Sequence, residues 1–202
     1  METPATSEAT ARFDPLLVRG FFDAKTCEEI IAEMRSAESG PAAIHGGSKS
    51  VDERVRKAAR VIPSAETIGL VRRRLLEGKA RIAEHFGISL SDCEEPQFLR
   101  YQIGDFFVAH QDGNTPLLKF DHDRVRIVSA VIFLSQQSAT PAPGDYSGGS
   151  LVFSGPLVDP SYRETREVVG ETGMLIAFRS ETTHEVTLVT HGERHSIACW
   201  YR

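Results

Sequence analysis

The chain has 202 residues, a formal net charge of −5, 41% hydrophobic residues and 25% charged residues. This length favours one domain, and the composition is ordinary for a globular protein. The interspersed charges give no electrostatic reason to expect nucleic acid as a partner. No apolar stretch is long enough for a membrane span, and the start, "METPATSEATARFD", has no apolar signal-peptide core. We therefore expect a cytoplasmic protein without a nucleic-acid or membrane partner.

The N-terminal composition and the cysteine spacing each support a prediction. The first dozen residues are small and polar, which predicts a flexible tail over 1–12 and one domain over 13–202. The three cysteines, Cys27, Cys93 and Cys199, are widely spaced and lack the spacing of metal fingers or redox motifs. We expect them to be free thiols in a reducing compartment.

A first helix is predicted over 24–38. Asp23 can cap it, and Ile30 and Met34 belong to an apolar stripe on one face. The segment 39–50 that follows is predicted to be a loop because it is rich in glycine, serine and other turn-forming residues.

A second helix is predicted from Ser64, its capping residue, to about Phe86, with Gly87 ending it. Between these helices, the basic segment 52–60 is interpreted either as a solvated face or as a lid. Together with the segments 38–50, 113–124 and 135–147, it would then form the substrate entrance.

From Pro96 onwards the period of the pattern changes to that of short strands separated by glycine or proline. The predicted strands cover 97–103, 106–110, 126–135, 150–155, 166–169, 174–178, 184–190 and 195–201. The order of the elements predicts an α+β, mainly β fold: a helical part over about 13–95 and a jelly roll over about 96–202, with the helices packed on one sheet. A barrel of this kind can hold a small ligand in its mouth.

His110, Asp112 and His184 form a candidate metal site. His110 and Asp112 are two apart at the end of a predicted strand, so both side chains project to the same side. His184 opens a later strand. Two histidines and one carboxylate suit iron(II) with open coordination positions, although the ligand types also admit zinc, manganese or cobalt. The H-x-D tripeptide alone is weak and equally describes a surface histidine beside a turn.

Arg194 strengthens this interpretation. It lies beyond His184 across a predicted turn, and Ser196 faces the same way in the strand. A guanidinium and a hydroxyl on one face can bind a carboxylate by charge-assisted hydrogen bonds. The strand period does not decide whether Arg194 points into the barrel or forms a surface salt bridge.

Three further features have two interpretations each. Gly148 and Gly149 precede a strand, where they permit either a close backbone approach near the pocket or a plain turn. His122, in a charged loop, is more readily a solvated side chain than a substrate contact. Trp200 is expected in the core.

These motifs together resemble the prolyl 4-hydroxylase branch of the iron(II) and 2-oxoglutarate-dependent dioxygenases. The resemblance extends over about residues 13–202. It rests on "LVRGFFDAKTCEEII" at the start, which matches the family's first strand and helix, and on the later pieces "FLRYQIGDFFVAHQD", "IVSAVIFLS", "GGSLVFSG", "GMLIAF" and "HEVTLVTHGERHSIACWY". The fold that the resemblance implies is a double-stranded β-helix.

The resemblance implies a role for each matching residue. His110, Asp112 and His184 would be the iron ligands and the catalytic centre. The carboxylate of Asp112 argues against the halogenating relatives, which need an open position for halide.

On the co-substrate side, Arg194 would bind the distal carboxylate of 2-oxoglutarate, with further hydrogen bonds from Ser196 and Tyr101. Phe133 departs from the pattern, since some members have a tyrosine there whose hydroxyl also contacts 2-oxoglutarate.

The implied activity is hydroxylation, with O2 consumed, succinate and CO2 released, and ascorbate supporting turnover. The substrate would be a prolyl residue or a small amino-acid-like metabolite. Two other functions remain open from the residues: a non-catalytic jelly-roll module that binds a metal or a partner, and a cupin-like metalloenzyme that does not use 2-oxoglutarate. The first would be expected to lack one of the four key residues, and the second would not need Arg194.

Overall fold

Antiparallel strands and two helices make up the described part of the computed structural model, which covers residues 14–44, 51–114, 125–154 and 165–202. The predicted tail over 1–12, His122 and most of the segment 113–124 lie outside these residues. The helices are α1 (Ala24–Ser36) and α2 (Ala65–Phe86), and neither is long and apolar enough to cross a membrane. The strands are β1 (Leu16–Val18), β2 (Glu38–Pro41), β3 (Arg56–Lys57), β4 (Ala59–Ile62), β5 (Gln97–Tyr101), β6 (Phe106–His110), β7 (Val128–Phe133), β8 (Ser147–Gly148), β9 (Leu151–Ser154), β10 (Arg166–Val168), β11 (Leu175–Arg179), β12 (Thr183–Val186), β13 (Val189–His191) and β14 (Arg194–Tyr201).

The strands form two main sheets. The larger has seven strands in the order β1-β11-β7-β14-β5-β4-β2, and the smaller has five in the order β10-β9-β12-β6-β3. Strands β13 and β8 form a separate ribbon. The prediction of one strand over 184–190 is therefore wrong, because this segment forms two strands, β12 and β13. Thr187 lies between them, and its N–H donates to the carbonyl of Ser150.

Both helices begin where their capping residues predict, and α2 ends at Gly87 as predicted, whereas α1 ends at Ser36, two residues before the predicted end at 38. The Asp23 carboxylate accepts from the N–H of Thr26 at 2.7 Å, and the Ser64 hydroxyl accepts from the N–H of Thr67 at 3.3 Å. Gly87 ends α2 in the left-handed conformation with φ of 62°. Helix-capping residues and an apolar stripe depend on residues close in sequence, so both can be recognised without knowledge of the tertiary packing.

Within the predicted helical part, the described residues (14–44 and 51–95) form four strands as well as the helices. The resemblance implied β1, but the loop predicted over 39–50 is wrong at its start, because β2 pairs with β4. All four residues of β2 are exposed, so this strand has no apolar alternation to reveal it. The segment 52–60 is not simply a lid or a solvated face, since β3 pairs with β6 and β4 pairs with β5.

The middle strands of the seven-stranded sheet, β11, β7 and β14, are buried on both faces. One face packs against α1 and α2 in the largest apolar cluster, to which β14 contributes Ile197, Cys199 and Tyr201. The alternate residues of β14, from Arg194 to Trp200, face a pocket between the two sheets. Since successive side chains of a strand point to opposite faces, this arrangement confirms helices on one side and places the pocket on the other.

Gly173 links the connection between β1 and α1 to β7, because its carbonyl accepts from the N–H of Phe22 and its N–H donates to the carbonyl of Phe133. We expect Gly173→Ala to destabilise the protein by about 2–4 kcal/mol. Its φ is +74°, and an added Cβ would lie 2.0 Å from the carbonyl oxygen of Phe22. Gly20→Ala is the matched control, because φ is +64° there and no heavy atom lies within 4 Å of the added Cβ. It should cost only about 1 kcal/mol. Urea denaturation of both variants would measure the difference, and equal losses would contradict the steric argument.

Candidate active site

The side chains of His110, Asp112 and His184 meet in the pocket, with one ligating atom from each within 4.8 Å of the others. His110 ends β6 and pairs directly with His184 of β12. Asp112 follows two residues later, where its N–H donates to the carbonyl of Ser180 at 2.9 Å. Its carboxylate oxygens lie 3.4 Å from His110 Nε2 and 3.5 Å from His184 Nε2. Strand pairing thus brings together residues that are distant in sequence.

Both imidazoles are held with Nε2 directed at the shared carboxylate. His110 Nδ1 lies 2.9 Å from the carbonyl oxygen of Val108, and His184 Nδ1 lies 2.9 Å from that of Thr182. A carbonyl only accepts, so each Nδ1 carries a proton, and Nε2 is the nitrogen that faces the carboxylate and is available to a metal ion. Histidine ligands of metals are commonly oriented in this way. The donor set therefore fits a divalent metal ion.

The charges of the group also suit a cation. Burial raises the pKa of Asp112, but attraction to His184 and the hydrogen bond from His110 outweigh it, so the pKa falls well below its usual range. Burial, followed by repulsion from His110, lowers the pKa of His184 to about 4. At neutral pH the site therefore holds an ionised carboxylate and a neutral His184 imidazole, the protonation states that metal binding requires.

Ser129 holds the carboxylate of Asp112 in place. Its hydroxyl donates to Asp112 Oδ2 at 2.7 Å and lies 3.0 Å from the hydroxyl of Ser180. Sequence reasoning missed this residue, because a serine inside an otherwise apolar strand does not reveal which side chain it contacts.

We expect Ser129→Ala to weaken metal binding by about 10-fold or more, as is typical when a group that orients a ligand is removed. Ser135→Ala is a matched control, since the Ser135 hydroxyl is also buried but accepts from the N–H of His195. Titration of each variant with Mn²⁺ would measure the affinity. Equal affinities in both variants would show that Asp112 does not depend on Ser129.

Arg194 points into the same pocket and is 1% exposed, which decides the orientation that the strand period left open. Its Nη1 donates to the hydroxyl of Ser196 at 2.6 Å. Its Cζ lies 5.1 Å from the ring centre of Tyr101 and 5.3 Å from that of Phe133. A fixed, buried cation at this point can receive an anionic group. The pocket thus brings together the six candidate metal and co-substrate residues: His110, Asp112, His184, Arg194, Ser196 and Tyr101.

Trp200 is buried as expected, but its side chain also lines the pocket. Arg126 lies over its ring, with Cζ 4.0 Å from the ring centre, and forms two 2.7 Å hydrogen bonds with the carboxylate of Glu94. Trp200 shares a strand face with Arg194, so the period of two could have predicted its position. Nothing in the sequence indicates the contact with Arg126.

The basic segment 52–60 also lines the pocket, through Arg56. Arg56 of β3 is buried at 7% exposure, donates to the carbonyl of Ala43 at 2.7 Å, and lies 4.6 Å from the ring centre of Phe107. The Phe107 ring in turn stacks on His110 with their centres 3.6 Å apart. Arg56 therefore belongs to the site through Phe107, a role that composition alone does not reveal.

The glycine pair before β9 makes a close approach to neighbouring backbone. A Cβ on Gly148 would lie 2.1 Å from the carbonyl oxygen of Leu188. This decides between the two interpretations that the sequence left open, because a plain turn would not require glycine at this distance.

Comparison with known proteins identifies the family. Residues 96–202 match the model of the 2OG-Fe(II) oxygenase superfamily. The chain belongs to this superfamily. A PKHD-type hydroxylase of Burkholderia thailandensis is 30% identical over 176 residues, which are 86% of this chain and 70% of the relative.

Solved structures agree with this membership in the 2OG-Fe(II) oxygenase superfamily. A prolyl-4-hydroxylase of Pseudomonas putida has a TM-score of 0.68 and 27% identity, covering 95% of this chain and 94% of its own. A prolyl hydroxylase of Trichoplax adhaerens, solved with a peptide fragment of a hypoxia inducible factor, has a TM-score of 0.70 and 16% identity, covering 93% and 82%. The second likeness shows the fold alone. The chain is thus a 2-oxoglutarate-dependent oxygenase by family.

Proposed function

We propose that the chain is an iron(II)- and 2-oxoglutarate-dependent hydroxylase of a prolyl residue or of a small amino-acid-like metabolite. His110, Asp112 and His184 would hold the iron, and Arg194 would hold the distal carboxylate of 2-oxoglutarate. The observation that carries the proposal is that these four side chains line one pocket. A carboxylate anchor in the same pocket as a two-histidine, one-carboxylate group is the arrangement that an iron-dependent oxidation of an oxoacid requires.

Iron(II), when bound, supplies the oxidation in which 2-oxoglutarate and O2 give succinate and CO2 and the substrate gains a hydroxyl group. The protein's residues position the reactants for this chemistry. Arg194 offers a planar fork of N–H donors to the distal carboxylate, and Ser196 and Tyr101 would donate further hydrogen bonds to the co-substrate. Phe107 and Trp200 form apolar walls that keep water away from the reacting atoms.

Three further assignments belong to this proposal. The two sheets with a pocket between them support a double-stranded β-helix, or jelly roll, as the fold. Free buried thiols at Cys27, Cys93 and Cys199 support a reducing compartment such as the cytoplasm. Ascorbate would support turnover by keeping the iron in its reduced state.

The alternatives have less support from the pocket. A cupin-like metalloenzyme that does not use an oxoacid has no need for a cation buried beside the metal ligands, whereas Arg194 is nearly inaccessible there. A non-catalytic module that binds a metal or a partner would be expected to lack one of the four key residues, and all four line the pocket.

The choice between peptide and metabolite can be made by experiment. The purified protein would be incubated with iron(II), 2-oxoglutarate, ascorbate and O2, together with prolyl peptides or free amino acids, and the products analysed by mass spectrometry. We expect one class to gain a single oxygen atom in step with succinate release, and the Asp112→Ala variant to produce neither. If no substrate is modified and 2-oxoglutarate does not bind the metal-loaded protein, the proposal is wrong.

A further inference from the structure

The pocket carries more positive charge than its proposed contents neutralise. Among the described residues that line it, four are arginines, Arg56, Arg60, Arg126 and Arg194, and the only acidic one is Asp112. The whole chain, by contrast, has a formal net charge of −5. The excess is therefore a property of the pocket and does not follow from a basic composition. Clustered charge of one sign in a cleft favours a ligand of the opposite sign.

Two of the four arginines have an anionic partner in the protein or in the proposed co-substrate. Arg126 forms two 2.7 Å hydrogen bonds with the carboxylate of Glu94. Arg194 would bind the distal carboxylate of 2-oxoglutarate. The other carboxylate of 2-oxoglutarate and the carboxylate of the metal site would together offset the two charges of iron(II). Arg56 and Arg60 remain, with two positive charges that neither the metal nor the co-substrate compensates.

Arg56 is a buried arginine without a carboxylate partner among the described residues. Its Nη1 donates to the carbonyl oxygen of Ala43, which carries no formal charge, and its Nε has no partner in the described parts of the chain. Buried charges are normally paired, so an anionic group in the pocket would supply the missing partner. The guanidinium lies over the ring of Phe107, which stacks on His110. An anion bound at Arg56 would therefore lie one aromatic ring away from a proposed metal ligand.

Arg60 reaches the pocket from the other sheet. Arg56 pairs with Phe107 in the five-stranded sheet, and Arg60 pairs with Leu99 in the seven-stranded sheet. Phe107 and Leu99 both line the pocket. The guanidinium of Arg60 is 4.0 Å from the carboxylate of Glu95, but these side chains are 47% and 66% exposed, so the contact compensates little of the charge. The segment 56–60 thus places one cation on each sheet.

Resting on the function proposed above, we propose that of the two substrate classes the protein acts on a free amino acid, whose carboxylate is bound by Arg56 with the assistance of Arg60. An internal prolyl residue of a protein offers only neutral amides and would leave both charges uncompensated. The planar guanidinium of Arg56 matches a carboxylate in shape and charge. A carboxylate bound beside Phe107 leaves the carbon chain of the substrate next to the proposed metal ligands.

The test compares substrates that differ only in the charge of the carboxyl group. The common free amino acids, their carboxamides and a prolyl peptide blocked at both ends would each be incubated with the wild-type protein, iron(II), 2-oxoglutarate, ascorbate and O2. Mass spectrometry would detect the gain of one oxygen atom. We expect a free amino acid to be hydroxylated with a KM about 10-fold or more below that of its carboxamide, since the carboxamide loses a charge-assisted hydrogen bond. The blocked peptide should not be hydroxylated.

Variants of the two arginines identify what reads the charge. Arg56→Gln should raise the KM of the free amino acid about 10-fold or more and leave that of the carboxamide unchanged. Arg60→Gln should have a smaller effect, and Arg56→Lys should keep part of the preference because an ammonium retains the charge. A structural defect transmitted through Phe107 would instead impair both substrates alike. Arg54→Gln is the matched control, because Arg54 is exposed and bonded to Asp52, and it should change neither KM.

Equal KM values for the free amino acid and its carboxamide in the wild type would overturn the proposal, and so would hydroxylation of the blocked peptide. An unchanged preference in Arg56→Gln would also overturn it. If no free amino acid is hydroxylated although 2-oxoglutarate binds the Mn²⁺-loaded protein, this inference is wrong while the proposed function stands. Failure of the wild type to bind 2-oxoglutarate would instead refute the proposed function, and this inference with it.

Discussion

Alanine in place of His110, Asp112 or His184 is expected to reduce turnover by at least about 1000-fold, because each variant loses one of three proposed ligands of an open metal site. Affinity for Mn²⁺ should fall in parallel. The free energy of unfolding of the metal-free protein should change little, since these side chains line a pocket and do not fill the apolar cluster under the helices. Turnover assays, metal titration and urea denaturation would measure the three quantities.

His191→Ala serves as the matched control for these variants. His191 ends β13 and is exposed, so its removal should leave turnover and metal affinity unchanged. Near-normal turnover in any one of the three ligand variants would show that this residue does not hold the metal.

The second large effect is expected from Arg194→Ala. Half-maximal rate should require a 2-oxoglutarate concentration that is higher by orders of magnitude, because removing one partner of a buried charge pair costs about 2–5 kcal/mol. Arg194→Lys should be impaired less, since an ammonium keeps the charge but cannot form the planar fork. Steady-state kinetics with varied 2-oxoglutarate would measure both.

Metal affinity distinguishes this effect from general damage to the pocket. Mn²⁺ should bind Arg194→Ala as it binds the wild type, because the ligands of the proposed metal site are elsewhere in the pocket. An unchanged requirement for 2-oxoglutarate in Arg194→Ala would remove the basis for assigning this arginine to the co-substrate.

The sequence predicted the elements whose signals are local. Both helices follow from a capping residue and an apolar stripe, and most strands after Pro96 follow from alternation. The strand β2 could not be predicted, because "ESGP" has no apolar residue to alternate and is ordered by backbone pairing with β4. A short, exposed strand has no residue pattern from which its pairing with another strand could be predicted.

The candidate site, too, could be predicted only in part from the sequence. The spacing of His110 and Asp112 at one strand end predicts that their side chains project to the same side, while the pairing of His110 with His184 required the sheet. Ser129 was missed, because its contact with Asp112 joins residues 17 apart in the chain that only the folded sheet brings together. No periodicity connects such residues.

Alternate residues of β14 face two different environments, the apolar cluster under the helices and the pocket. Ile197, Cys199 and Tyr201 pack under the helices, whereas Ala198 and Trp200 line the pocket. Changes at Ala198 and Trp200 would therefore alter the pocket wall, whereas Arg194 and Ser196 on the same face are proposed to hold the co-substrate and the intervening residues are constrained by packing. A directed-evolution library confined to Ala198 and Trp200 would explore new substrates without loosening the core, which makes this strand a natural starting point for altering what the enzyme accepts.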